Sequence, residues 1–202
     1  MLASVNREVS DLVTARIEGA AVTVFQIGKD VPVPIERALD ENTKPGDDRL
    51  LVALAAYEGL QQACVVVDAG TAVTVDFVDG EGTFQGGAIA PGLRMMLGAL
   101  HEGTDALPAL ELVGKLPKEP FGKRTGDAMQ LGCIASVQGL VRHLAERYAV
   151  AYDAYPLIVA TGGDAELLFG NDELIDRIVP DLALRGIAIA CQKALASQAD
   201  NG

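Results

Sequence analysis

The stretch "CVVVDAGTAVTVDFVDGEGTFQGGAIAPG", residues 64–92, holds three runs of β-forming residues separated by short clusters of turn residues. That spacing predicts an antiparallel meander. The first run ends on an acid, Asp68, and turns at once through Ala69-Gly70-Thr71. A carboxylate at the mouth of an apolar strand is costly unless something charged sits beside it, so Asp68 marks the first position where chemistry is expected.

The segments around the meander read mainly as helices. "LASV" is a possible first strand, and "REVSDLVTARIEG" places Val9, Leu12, Val13 and Ile17 at helical spacing. "AVTVFQI" reads as a strand, and the proline-rich stretch after it as a connector. "RLLVALAAYEGLQQA" is a helix apolar nearly all round, and therefore sandwiched. After the meander come a helix over "LRMMLGALHEGT", a long proline-containing loop, and a long helix beginning at "TGDAMQLG". A strand, glycine turn and helix over "YPLIVATGGDAELLFG" and a closing helix over "DLALRGIAIACQKALAS" complete a mixed α/β layout.

Charge narrows the function classes. The 202 residues carry a formal net charge of −12, which argues against nucleic acid and anionic membranes as partners. No stretch is long and apolar enough to span a bilayer, and the N-terminus lacks the blocks of a signal peptide, so a cytoplasmic protein is expected. Cys64, Cys133 and Cys191 fit neither a zinc site nor a disulfide framework and read as reduced thiols. His101 and His143 read as surface or satisfied histidines.

Four short segments could carry chemistry. In "DAGTAVTVD", Gly70 permits close backbone approach, Thr71 adds a hydroxyl, and such a tip can hold phosphate oxygens while Asp68 attracts a cation. An ordinary hairpin with a turn-forming Asp reads the same way. In "PGDDRLL", Asp47 and Asp48 open a helix, where carboxylates also serve as caps. Arg49 beside them could instead grip a small carboxylate, with the acid accepting the proton of a hydroxyl about to be phosphorylated. In "GGAIAPGL", Pro91-Gly92 opens a helix whose N-terminus can face an anion. In "LIVATGGDA", Gly162 and Gly163 would let the edge of a nucleotide lie on the backbone, or form a plain strand-to-helix turn.

Taken in order, "GDDR", "DAGTAVTVD", "GGAIAPGL", "ALPALEL", "TGDAMQLG" and "ATGGDA" resemble the type III pantothenate kinases, which phosphorylate pantothenate in coenzyme A biosynthesis. The resemblance implies an α/β, ribonuclease-H-like (actin-like ATPase) fold of two halves. It implies a homodimer that uses ATP, magnesium and a monovalent cation, potassium or ammonium. Carried over by position, Gly46, Asp47, Asp48 and Arg49 match the substrate-binding segment, with Asp48 as proton acceptor. Asp68 matches the cation ligand, Thr71 the ATP-contacting threonine, and Thr125 a substrate contact. The family's D-x-G-N-T phosphate turn has no counterpart in this sequence. Only 63 residues precede Cys64, where such a half needs on the order of 100. The expected division is thus an incomplete N-terminal half over 1–63, a complete C-terminal half over 64–186, and a closing helix and tail over 187–202. A non-catalytic kinase-like regulatory or binding protein is the alternative.

Overall fold

A computed structural model describes residues 13, 15–17, 24–112, 114–115, 117 and 119–199. The strand expected over "LASV", and Val9 and Leu12 of the first expected helix, lie outside the described residues; Val13 and residues 15–17 are helical. The chain divides into two compact units, one of residues 1–63, 78–86 and 181–202, the other of residues 64–77 and 87–180.

In the first unit, α1 (Asp47–Leu60) begins at Gly46, whose extended backbone (φ −60°, ψ 140°) marks the cap. It ends where Gln61 turns left-handed and its N–H donates to the Tyr57 carbonyl at 2.7 Å. Seven consecutive residues, Leu50 to Ala56, are buried, so the helix is covered on every side, as its unbroken apolar composition required. Helix α5 (Leu182–Ala199) packs along α1. The Gly186 backbone meets the Leu51 backbone directly, and Lys193 pairs with Glu58. The two-residue strand β1 (Glu36–Arg37) pairs in parallel with Thr83 and Phe84. "AVTVFQI" departs from expectation: among its described residues, 24 and 25 have no regular structure, and Ile27 makes an isolated bridge to Val31 across a turn. The Asp30 carboxylate closes that turn by accepting the Gln26 N–H at 2.7 Å.

The meander supplies β2 (Cys64–Ala69), β3 (Ala72–Val78) and β4 (Thr83–Pro91). Hydrogen-bonded neighbours joined by two or four residues are antiparallel, because a parallel return needs a crossover of a dozen or more. Asp79 closes the β3–β4 turn by accepting the N–H groups of Glu81 and Thr83, both at 2.9 Å. In the second unit the strands run β4-β3-β2-β5-β6, with β5 (Leu157–Thr161) and β6 (Arg177–Ile178) added in parallel beyond β2. Cys64 to Val67 are inaccessible, so β2 is a central strand covered on both faces. Helices α2 (Leu93–Glu102), α3 (Thr125–Tyr152) and α4 (Ala165–Phe169) complete the unit. Met129, Cys133, Val137, Val141, Ala145 and Ala149 form the buried stripe of α3, at the spacing a helix needs to face a core. A three-strand meander extended by parallel strands reached through helices is the ribonuclease-H-like α/β arrangement expected.

Candidate functional site

Register creates the centre of the second unit. Parallel pairing runs from Cys64 opposite Leu157 to Asp68 opposite Thr161, so the glycine turn after β5 emerges beside the half-buried Asp68 carboxylate. Gly162 sits at φ +95°, and a Cβ there would fall 2.5 Å from Asp68 Oδ1. Only glycine fits that cradle. The Asp164 N–H donates to the Ala69 carbonyl at 2.9 Å, tying the glycine turn to the end of β2.

The start of α2 closes over the same hairpin tip. The Gly92 N–H donates to the Thr71 carbonyl at 3.0 Å, and a Cβ on Gly92 would fall 2.5 Å from that oxygen. The structure therefore brings Asp68, Gly70, Thr71, Gly162 and Gly163 into one cluster, with the Thr71 side of the tip exposed. Sequence reasoning missed its ion pair: Arg94 Nη1 donates to Asp164 Oδ1 at 2.9 Å and to Oδ2 at 2.7 Å. The one local signal was a cation two residues beyond "PG", where a helix start favours acids.

Thr125 is placed differently, at the start of α3, exposed, on the wall of an apolar cavity of about 680 Å³. Met96, Leu100, Leu107 and Met129 line that cavity, together with Pro91, the residue before Gly92. Burial raises the thiol pKa of Cys133 on the same wall and keeps it protonated. Cys64, Cys133 and Cys191 are all unpaired. His101 is occupied, with Nδ1 2.8 Å from the Leu107 carbonyl.

In the first unit, the expected acceptor residues open α1. Asp47 is half-buried against the Gly28 backbone. Asp48 is exposed, and its Oδ1 lies over Gly46 and accepts the Arg49 N–H at 2.9 Å. The Arg49 guanidinium lies over the Phe84 ring, 5.5 Å from its centroid. The arrangement presents one carboxylate to solvent beside a half-buried cation, a pair able to take a proton and hold an anion.

The family model for type III pantothenate kinases matches residues 1–147. A type III pantothenate kinase of Rhodopirellula baltica is 42% identical over 175 residues, covering 83% of this chain and 62% of the relative. One from Akkermansia muciniphila is 42% identical over 148 residues, covering 72% and 59%. The chain thus spans about three fifths of the curated relatives it matches. A Campylobacter jejuni protein described as a Baf family transcriptional activator shares the fold, with a TM-score of 0.61 over 95% of this chain and 81% of that one, at 21% identity. With the model matching from the first residue through most of α3, this chain belongs to the type III pantothenate kinase family.

Proposed function

We propose that this protein transfers the γ-phosphoryl group of ATP to the hydroxyl of pantothenate. The observation that carries the reading is the cluster at the end of β2, where Asp68, the exposed Thr71 tip and the Gly162 turn meet in a chain of this family. Phosphoryl transfer needs positioning and charge neutralisation more than covalent chemistry, and this cluster sets the exposed Thr71 hydroxyl beside a carboxylate. Thr71 would hold phosphate oxygens, with Gly70, whose own N–H is taken by the Ala72 carbonyl at 3.0 Å, leaving room for their close approach. Gly162 and Gly163 would take the edge of the nucleotide. In the first unit, Gly46 and Asp47 shape the acceptor segment, Arg49 binds the pantothenate carboxylate, and Asp48 takes the hydroxyl proton. Thr125, on the wall of the apolar cavity of the second unit, is the other residue that the family resemblance assigns to substrate.

The residues present fit the implied ions. A carboxylate cradled by backbone offers the hard oxygen donors that potassium or ammonium takes, which suits Asp68. Among the described residues no three His, Cys, Asp or Glu side chains group as metal ligands. Magnesium keeps its waters and binds through one or two carboxylates plus phosphates, so it would enter the site with the phosphates of ATP. Bound there, the ions would supply charge neutralisation. The reading extends to a homodimer in the cytoplasm, and three unpaired thiols accord with that compartment. Among the described residues no helix is long and apolar enough to cross a membrane.

The test is ADP release from the intact protein with pantothenate, with and without potassium, for the native sequence and Asp48→Asn. Loss of a proton acceptor lowers the rate by about 10² to 10⁴. Equal rates would remove Asp48 from that role, and pantothenate binding without turnover would favour a binding protein.

A further inference from the structure

The contact between Arg94 and Asp164 breaks two local rules at once. Arg94 occupies the first turn of α2, where the dipole disfavours a cation. Asp164 holds the cap position of α4, yet its carboxylate makes no capping bond. Both its oxygens go to Arg94 Nη1 instead. The Asp164 side chain is 6% exposed and that of Arg94 65%, so the acid is buried and its partner reaches in from the surface. Two sequence elements thus give up local preferences for one contact, which is the usual mark of a site under functional constraint.

The position of the contact says what it constrains. Residue 164 follows the Gly162-Gly163 turn, and its own N–H is bonded to the Ala69 carbonyl. Residue 94 follows Gly92, whose N–H is bonded to the Thr71 carbonyl. The ion pair therefore joins the two backbone segments that flank the Asp68–Thr71 tip, one from each side. We propose that Arg94 and Asp164 are a positioning pair for nucleotide. They hold the glycine turn and the start of α2 at the separation ATP requires, without touching pantothenate. This rests on the kinase reading.

The test combines amide hydrogen exchange on the ligand-free protein with separate titrations of ATP and pantothenate, for the native sequence, Arg94→Ala, Arg94→Lys and Asp164→Asn. In Arg94→Ala, exchange at the Gly92 and Asp164 amides should accelerate while amides of the β2–β5 ladder stay protected. ATP affinity should fall about tenfold, the low end of what supporting partners contribute, and pantothenate affinity should stay within about twofold. Both native bonds come from one nitrogen, which an ammonium can imitate, so Arg94→Lys should restore most of the affinity. Asp164→Asn keeps the shape and should reproduce the Arg94→Ala pattern if the alanine variant folds poorly. Unchanged exchange and ATP affinity in both Arg94→Ala and Asp164→Asn, or equal losses for the two ligands, would overturn the positioning role alone. A native protein that binds neither ligand would overturn the kinase reading, and this inference with it.

Discussion

The guanidinium of Arg49 rests over the ring of Phe84, 5.5 Å from its centroid, and Phe84 is fully buried in β4. A solvent-side cation is thereby oriented by a core residue. Phe84→Leu keeps a buried hydrophobe and removes the ring face. Such contacts contribute about 0.5 to 2 kcal/mol, so the KM for pantothenate should rise roughly fivefold. Steady-state kinetics that show an unchanged KM in the folded variant would separate the ring from substrate binding.

Gly162→Ala should be severe. Its φ of +95° strains any other residue, and the new methyl would meet Asp68 and the Ala69 carbonyl. The expected loss is at least about 2 kcal/mol of stability, with a higher potassium concentration needed for half-maximal rate. Gly163→Ala, where the added carbon meets nothing within 4 Å beyond its own chain neighbours, should unfold at nearly the native denaturant concentration.

Two glycines in helices should respond with opposite sign. In α5, a Cβ on Gly186 would fall 3.0 Å from Leu51 Cα and closer still to its carbonyl. Overpacking of that kind costs about 1 to 3 kcal/mol, more than the gain of roughly 1 kcal/mol in helix propensity. Gly139 of α3 is exposed, and such a carbon meets nothing within 4 Å beyond its own helix backbone. Gly139→Ala should therefore stabilise by about 0.5 to 1 kcal/mol. Urea midpoints of the two variants decide the matter.

Burial pushes the Cys64 thiol from 9.0 up to about 12. The folded state holds that proton where the unfolded chain releases it, so the thiol's contribution is fully present below pH 9 and is lost as pH rises towards 12. Over that window this single group should lower stability by about 1.4 kcal/mol per pH unit. Cys64→Ala should show a correspondingly shallower alkaline decline in denaturation measured from pH 8 to 11.

Most regular elements were legible in the sequence because their signals are local. The unbroken apolar run of α1, the stripe of α3 and the short turns of the meander each specify an element whatever lies elsewhere. The strands Glu36–Arg37 and Arg177–Ile178 were not legible. Two residues have no periodicity, and they are strands only because Thr83-Phe84 and Val159-Ala160 lie beside them. Residues 24–27 miss their expected strand because the chain turns at Gly28 (φ +82°) and is closed by Asp30.

The site divides along the same line. Asp48, Arg49, Asp68 and Thr71 stand out in short motifs, since chemistry that needs an acid beside a turn or a helix start writes itself into adjacent positions. That Gly162 cradles Asp68 follows from the register of β2 against β5. That Arg94 finds Asp164, 70 positions away, depends on where α2 and the glycine turn come to rest. Residue order encodes local conformation and which faces are apolar. Long-range partners are chosen by packing, where register and burial decide which charges meet.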